Sequence, residues 1–155
     1  MSKKKKKKIE IVNKKASFEY FLRDHYEAGI CLRGTEVKSI RSGHVSLTDA
    51  YCSFERGELY VYNLYIKEYD HSTYFNHKAR RTRKLLLRKT EIKKLLKKVK
   101  EKGFTIVPYK MYISDRGFVK LEIAVAEGKK GFNKKESIKA KDQKRELERM
   151  RRDKY

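Results

Sequence analysis

Residues 105–126 read TIVPYKMYI-SDRG-FVKLEIAVA, two apolar runs of nine residues around a polar four-residue break. In the second run Val119, Leu121, Ile123 and Val125 alternate with Lys120 and Glu122. A period of two is the signature of a strand with one face buried. Ser114-Asp115-Arg116-Gly117 is turn chemistry, so the pair predicts an antiparallel hairpin. Pro108, the only proline, cannot donate to a ladder and predicts an edge or a bulge in the first strand.

The same pattern recurs upstream. Tyr51–Phe54 and Leu59–Ile66 flank Glu55-Arg56-Gly57-Glu58, a second hairpin with glycine in its turn. Phe18, Tyr20, Leu22 and Tyr26 alternate with polar residues, which predicts a strand running towards Leu32; Phe18, Phe21, Leu22 and His25 also fit helical spacing. Gly34-Thr35-Glu36 opens a short predicted helix, with Thr35 as cap and Gly43 as stop. Ile92, Leu95, Leu96 and Val99 fall on one face of a second helix over 91–102, between Thr90 and Gly103, with lysine on its outer face. Many antiparallel strands, two short packed helices and regular turns predict a small, mainly β fold: a closed or nearly closed antiparallel barrel.

Charge sets the partner. The 155 residues carry 42 Lys and Arg against 20 Asp and Glu, a formal +22. A field of that sign and size calls for a polyanion, and nucleic acid is the leading candidate. A membrane surface fits less well, since no tryptophan is present and no apolar run approaches the roughly 20 residues of a span. Lys3–Lys8 lacks the apolar stretch of a signal peptide, so a cytosolic chain is expected, with Cys31 and Cys52 as reduced core thiols. Residues 1–8 are expected to be disordered, residues 9–130 to form the barrel, and residues 131–155 to be a basic tail that is loose when free. The tail is poor in apolar side chains but rich in helix formers.

Lys78-Ala-Arg-Arg-Thr-Arg-Lys84 puts five bases in seven residues beside Tyr69, His71, Tyr74, Phe75 and His77 in an expected long exposed loop. Cationic forks next to aromatic rings are a usual way to hold nucleotides. Catalysis has little support: the four histidines form no ligand set, the carboxylates are scattered, and no Walker-type loop occurs. No metal, cofactor or enzymatic activity is expected.

Asn13-Lys-Lys-Ala16, Glu27-Ala-Gly-Ile30, Gly34-Thr-Glu-Val-Lys-Ser39, Arg81-Thr-Arg-Lys-Leu-Leu-Leu87, Gly117-Phe-Val-Lys120 and Gly128-Lys-Lys130 occur in that order. Together they resemble the small protein B family, the SsrA-binding proteins, over roughly residues 9–150. The resemblance implies a six-stranded antiparallel barrel similar to an oligonucleotide-binding fold. It also implies binding to the tRNA-like domain of transfer-messenger RNA. It further implies entry, with elongation factor Tu through that RNA, into ribosomes stalled on truncated messages. The tail would lie in the empty message channel as a helix, licensing rescue and peptide tagging; the protein would act as a monomer.

Carried over position by position, the RNA-binding residues are Asn13, Glu27, Lys38, Arg81, Arg83, Lys84, Lys120, Lys129 and Lys130. Arg81, Arg83, Lys84 and Lys120 are expected to clamp the backbone, while Glu27 would accept a hydrogen bond or orient a cation. In the tail the ribosome-facing residues are Phe132, Asn133, Lys134, Lys135, Lys139, Lys141, Lys144, Arg145 and Arg149. Asn133-Lys134-Lys135 stands where the family commonly has Asp-Lys-Arg. Residues 129–155 hold 12 bases against 5 acids. Two rival readings are a ribosomal structural protein with an rRNA-threading tail and an RNA-processing enzyme with a clustered acidic site.

Overall fold

The computed structural model describes residues 9–70, 76–129 and 143–149. In chain order the elements are β1 (Glu10–Val12), α1 (Lys14–Glu19), β2 (Tyr20–Ile30), α2 (Gly34–Arg41), β3 (Val45–Ser46), β4 (Tyr51–Glu55), β5 (Glu58–Tyr62), β6 (Tyr65–Ile66), β7 (Arg83–Leu86), α3 (Lys89–Lys102), β8 (Thr105–Ile113) and β9 (Val119–Gly128). Strands β8, β4, β5, β7, β2 and β9 pair antiparallel in that order, and β9 returns to β8, closing a ring of six. Closure removes the sheet edges that would otherwise invite pairing with other chains.

The hairpin that anchored the sequence reading forms as expected. Ile113 pairs with Val119 across the turn, and Ser114 accepts from Gly117 N–H at 2.8 Å while its own N–H donates to Phe118 O at 2.8 Å. The register slips between Pro108 and Lys110, so the proline sits at a bulge. That slip lets β8 serve three neighbours: β9 along one edge, and β1 and β4 on separate stretches of the other.

Inward residues of the ring fill its centre: Ala28, Ile30, Cys52, Leu59, Val61, Leu85, Ile106, Met111, Leu121, Ile123 and Val125. Ile40 from α2 and Leu95 from α3 belong to the same cluster, which packs both helices against the ring. Ala124 and Ala126, on the other face of β9, are also buried. Ala126 packs with Ala16 of α1 and Val107 in a small second cluster on the barrel's outer wall.

The structure changes several details. The segment from Phe18 is neither one strand nor one helix. Asn13 caps α1, which ends at Glu19, and β2 begins at Tyr20, so α1 is a third helix that the alternation concealed. Thr35 does not cap α2, because the helix already begins at Gly34; its hydroxyl lies 2.9 Å from His77 Nδ1 instead. Likewise α3 begins at Lys89, one residue before the expected cap Thr90, with Arg88 at the cap position and no side-chain bond there. Gly103 ends it with φ of 64°, the left-handed conformation glycine adopts without strain. The β4–β5 hairpin turns through Arg56 and Gly57, both at positive φ, and its second strand breaks at Asn63 before resuming as β6. Cys52 is buried, as expected, but Cys31 is exposed: Ile30 points into the core, so the next side chain faces outward, while the Cys31 N–H still donates to Lys84 O at 3.0 Å. Among the described residues no helix is long and apolar enough to cross a membrane. Nor, among them, do three His, Cys, Asp or Glu side chains gather to hold a metal.

Candidate RNA-binding surface

Antiparallel register places outward side chains of successive strands in rows. One row runs Tyr112, Lys120, Gly29, Leu86 across β8, β9, β2 and β7. The next runs Lys110, Glu122, Glu27. Glu27 therefore stands between cationic and aromatic neighbours. Tyr112 Oη donates to Glu27 Oε2, and Lys120 Nζ lies 3.9 Å from Glu27 Oε1. Partial burial and the bond to Glu27 push the Tyr112 hydroxyl up to about 12, so near neutral pH it keeps its proton and remains a donor. The Glu27 side chain is 56% exposed, with an anchored carboxylate facing solvent.

Two shallow depressions meet at this residue. One is lined by Gly29, Leu86, Arg88, Glu91 and Lys120, the other by Glu10, Lys110, Tyr112 and Ser114. Gly29 allows a close approach where β2 meets β7: a Cβ there would stand 3.2 Å from Leu86 Cβ, tighter than ordinary packing. Leu86 itself is 52% exposed, an apolar surface inside a polar rim.

A second cluster lies under the segment that leads into β7. Glu36 of α2 and Arg83 of β7 are wholly buried and form an ion pair. Arg83 also donates to Leu64 O at 2.7 Å and Ala79 O at 3.2 Å. Arg81 reaches the other Glu36 oxygen at 2.5 Å and Cys31 O at 3.3 Å. The backbone N–H of Arg33 donates to Glu36 as well, at 2.9 Å. Burial alone would raise the Glu36 carboxyl. The bonds from Arg81 and Arg33 N–H, with the Arg83 charge, overcome that and hold it below the usual carboxylate range.

The expected site residues thus separate into groups. Glu27 and Lys120 stand together on the open face. Lys84 points outward on β7, between buried Arg83 and Leu85. Lys38 is exposed on α2, with its ammonium 5.2 Å from the Tyr69 ring. Lys129 sits at the far end of β2 and β9, its Nζ donating to Ser17 O at 3.2 Å. Arg83 is not positioned as a phosphate clamp, because its guanidinium is enclosed and bonded within the fold. Arg81 keeps an accessible side but leans on the same carboxylate. His77, expected as a stacking ring in an exposed loop, is buried, its two nitrogens 2.9 Å from Thr35 Oγ1 and Ile66 O. His71, Tyr74, Phe75, Lys130, Phe132, Asn133, Lys134, Lys135, Lys139 and Lys141 lie outside the described residues. Lys144, Arg145 and Arg149 fall in the helical stretch 143–149, every residue of which is exposed.

Asn13 is a buried supporting residue. Its amide nitrogen donates to Leu47 O at 3.1 Å and Pro108 O at 3.0 Å, and its oxygen accepts from Ala16 N–H at 3.2 Å. Asn13→Ala removes a helix cap and orphans two carbonyls, so the unfolding free energy is expected to drop by about 2–3 kcal/mol. Chemical denaturation checks this; an unchanged midpoint would show that the amide is not structural.

Tyr112, Lys110, Leu86 and Arg88 were missed as site residues. Tyr112 and Lys110 were legible in principle, since both flank inward Met111. Glu36 looked like a dipole-favoured helix residue, and nothing in its neighbourhood announced two arginines from 45 and 47 positions away.

Known proteins share this architecture. The chain is 54% identical over 142 residues to the SsrA-binding protein of Phocaeicola vulgatus, spanning 92% of this chain and 95% of that one. It is 48% identical over 142 residues to that of Geobacillus thermodenitrificans, with 92% and 91% covered. A solved chain from "tmRNA-SmpB: a journey to the center of the bacterial ribosome" superposes with a TM-score of 0.67 at 48% identity, covering 79% of this chain and 86% of that one. With the SmpB protein family matching residues 10–153, nearly end to end, the chain belongs to that family.

Proposed function

We propose that this chain binds the tRNA-like domain of transfer-messenger RNA on the outer face of β8, β9, β2 and β7. We propose further that it delivers that RNA, with elongation factor Tu, to stalled ribosomes in the cytoplasm. Its tail then enters the vacant message channel. The observation that carries the first part is the anchored Glu27 carboxylate between Tyr112 and Lys120. Structured RNA is read mainly by shape, 2′-hydroxyls and exposed bases, and a fixed carboxylate accepts hydrogen bonds from sugar or base while adjacent ammonium groups face phosphate. Relatives named for binding SsrA, and a matched chain described with tmRNA in a ribosome, support the choice of RNA.

Glu27→Ala is expected to weaken binding to the tRNA-like domain by 10-fold or more with the fold intact. Lys120→Gln should weaken it less and reduce the salt slope by roughly 0.7–0.9. Filter binding against salt, with an unrelated structured RNA of equal length as control, measures both. Equal affinity of the unaltered protein for the two RNAs would defeat the assignment.

A further inference from the structure

We propose that one flank of α3 is a second RNA-binding surface, which holds a strand of ribosomal RNA while the barrel face holds transfer-messenger RNA. The inference rests on the functional reading above and adds a surface to it. At 3.6 residues per turn, Lys89, Lys93, Lys97 and Lys100 fall within an arc of about 80°. All four are exposed. Ile92, Leu95 and Val99 occupy the arc facing the barrel, so the helix is fixed by its core side and by its left-handed Gly103 end. The lysines are displayed on a rigid support, at intervals of about 6 Å and over about 17 Å. That interval is close to the separation of successive phosphates along one RNA strand.

The two flanks of the helix are treated differently. On the flank towards β2, Lys98 pairs with Asp24 and Glu91 lies 3.9 Å from Arg88. On the other flank, none of the four lysines has an acidic partner within 4 Å among the described residues. Like charges four residues apart disfavour a helix, and a lysine at the first helical position also opposes the helix dipole. Lys89 occupies that first position. An unneutralised row held in a rigid line is suited to an external row of opposite charge. Glu91 lines the depression beside Glu27 from the other flank, so the two surfaces point in different directions and are free to engage two RNA segments at once.

The test is the full-length quadruple variant K89Q/K93Q/K97Q/K100Q, in which glutamine keeps helix propensity nearly unchanged. Affinity for the isolated tRNA-like domain is expected to change less than 3-fold. Affinity for ribosomes with an empty message channel is expected to fall by 10-fold or more, with a salt slope lower by about 3. Unchanged ribosome binding would mean the row only faces solvent, and equal loss in both arms would make it part of the transfer-messenger RNA site; either result overturns the proposal. Failure of the unaltered protein to prefer the tRNA-like domain would instead count against the functional reading, leaving the ribosome arm to decide this one.

Discussion

Arg83→Ala is expected to destabilise the fold by about 3–5 kcal/mol, because it leaves the Glu36 carboxylate buried with its buried counter-ion gone and only the partly exposed Arg81 beside it. Against a total of about 5–15 kcal/mol for an ordinary domain, that leaves little margin. The loss extends beyond one ion pair. Arg83 also ties the carbonyls of Leu64 and Ala79 to α2, so the approach to β7 loses its internal scaffold. Denaturant melts of Arg83→Ala, Glu36→Gln and the double variant would show non-additivity of about 2 kcal/mol if the groups act as a unit. Strict additivity, or a loss below about 1 kcal/mol, would contradict this account.

The same pair gives a pH signature with a definite sign. Glu36 is held below the usual carboxylate range in the folded chain, so the unfolded chain takes up the proton more readily. Its stabilisation is therefore complete above the ordinary value of about 4.3 and is lost as pH falls through the lowered folded value. The stability gap between the unaltered protein and Glu36→Gln should be full at pH 7 and shrink below about pH 4.

Truncation after Gly131 is expected to leave affinity for the tRNA-like domain within about 3-fold while peptide tagging on stalled ribosomes falls below detection. The proposed RNA face is assembled from β8, β9, β2 and β7, none of which lies beyond Gly128. In the described helical stretch 143–149 every side chain is exposed, so no packing against the barrel accounts for that helix. Local propensity and charge spacing are enough to favour it. A binding assay and a tagging assay on the same preparation check the separation. If removing the tail abolished RNA affinity, or left tagging intact, the division of labour between body and tail would be refuted.

The barrel was legible because alternation and turn chemistry are local properties. The 105–126 hairpin and the bulge at Pro108 emerge where the residues place them. Strand β7 was harder to see, because its inward residues are Arg83 and Leu85, and a charged residue at an inward position breaks the apolar pattern. Within the basic run 78–84 only Arg83 is buried, and it misled for the same reason: an arginine looks identical in sequence whether it meets solvent or a buried carboxylate. Asn13 shows the reverse. Its type signals a helix cap, but its bonds to Leu47 and Pro108, 34 and 95 positions away, are long-range facts that no window contains.

Lys129 gives the tail a fixed point of departure. Its N–H donates to Glu19 O at 3.0 Å, its ammonium to Ser17 O, and that ammonium lies 5.2 Å from the Phe21 ring. The remaining 26 residues are measured from that anchorage. Wound as one helix, those residues would span about 40 Å. The protein would then behave as a gauge whose zero mark is riveted to the body, and residues inserted just after Lys129 would shift the scale by a countable step.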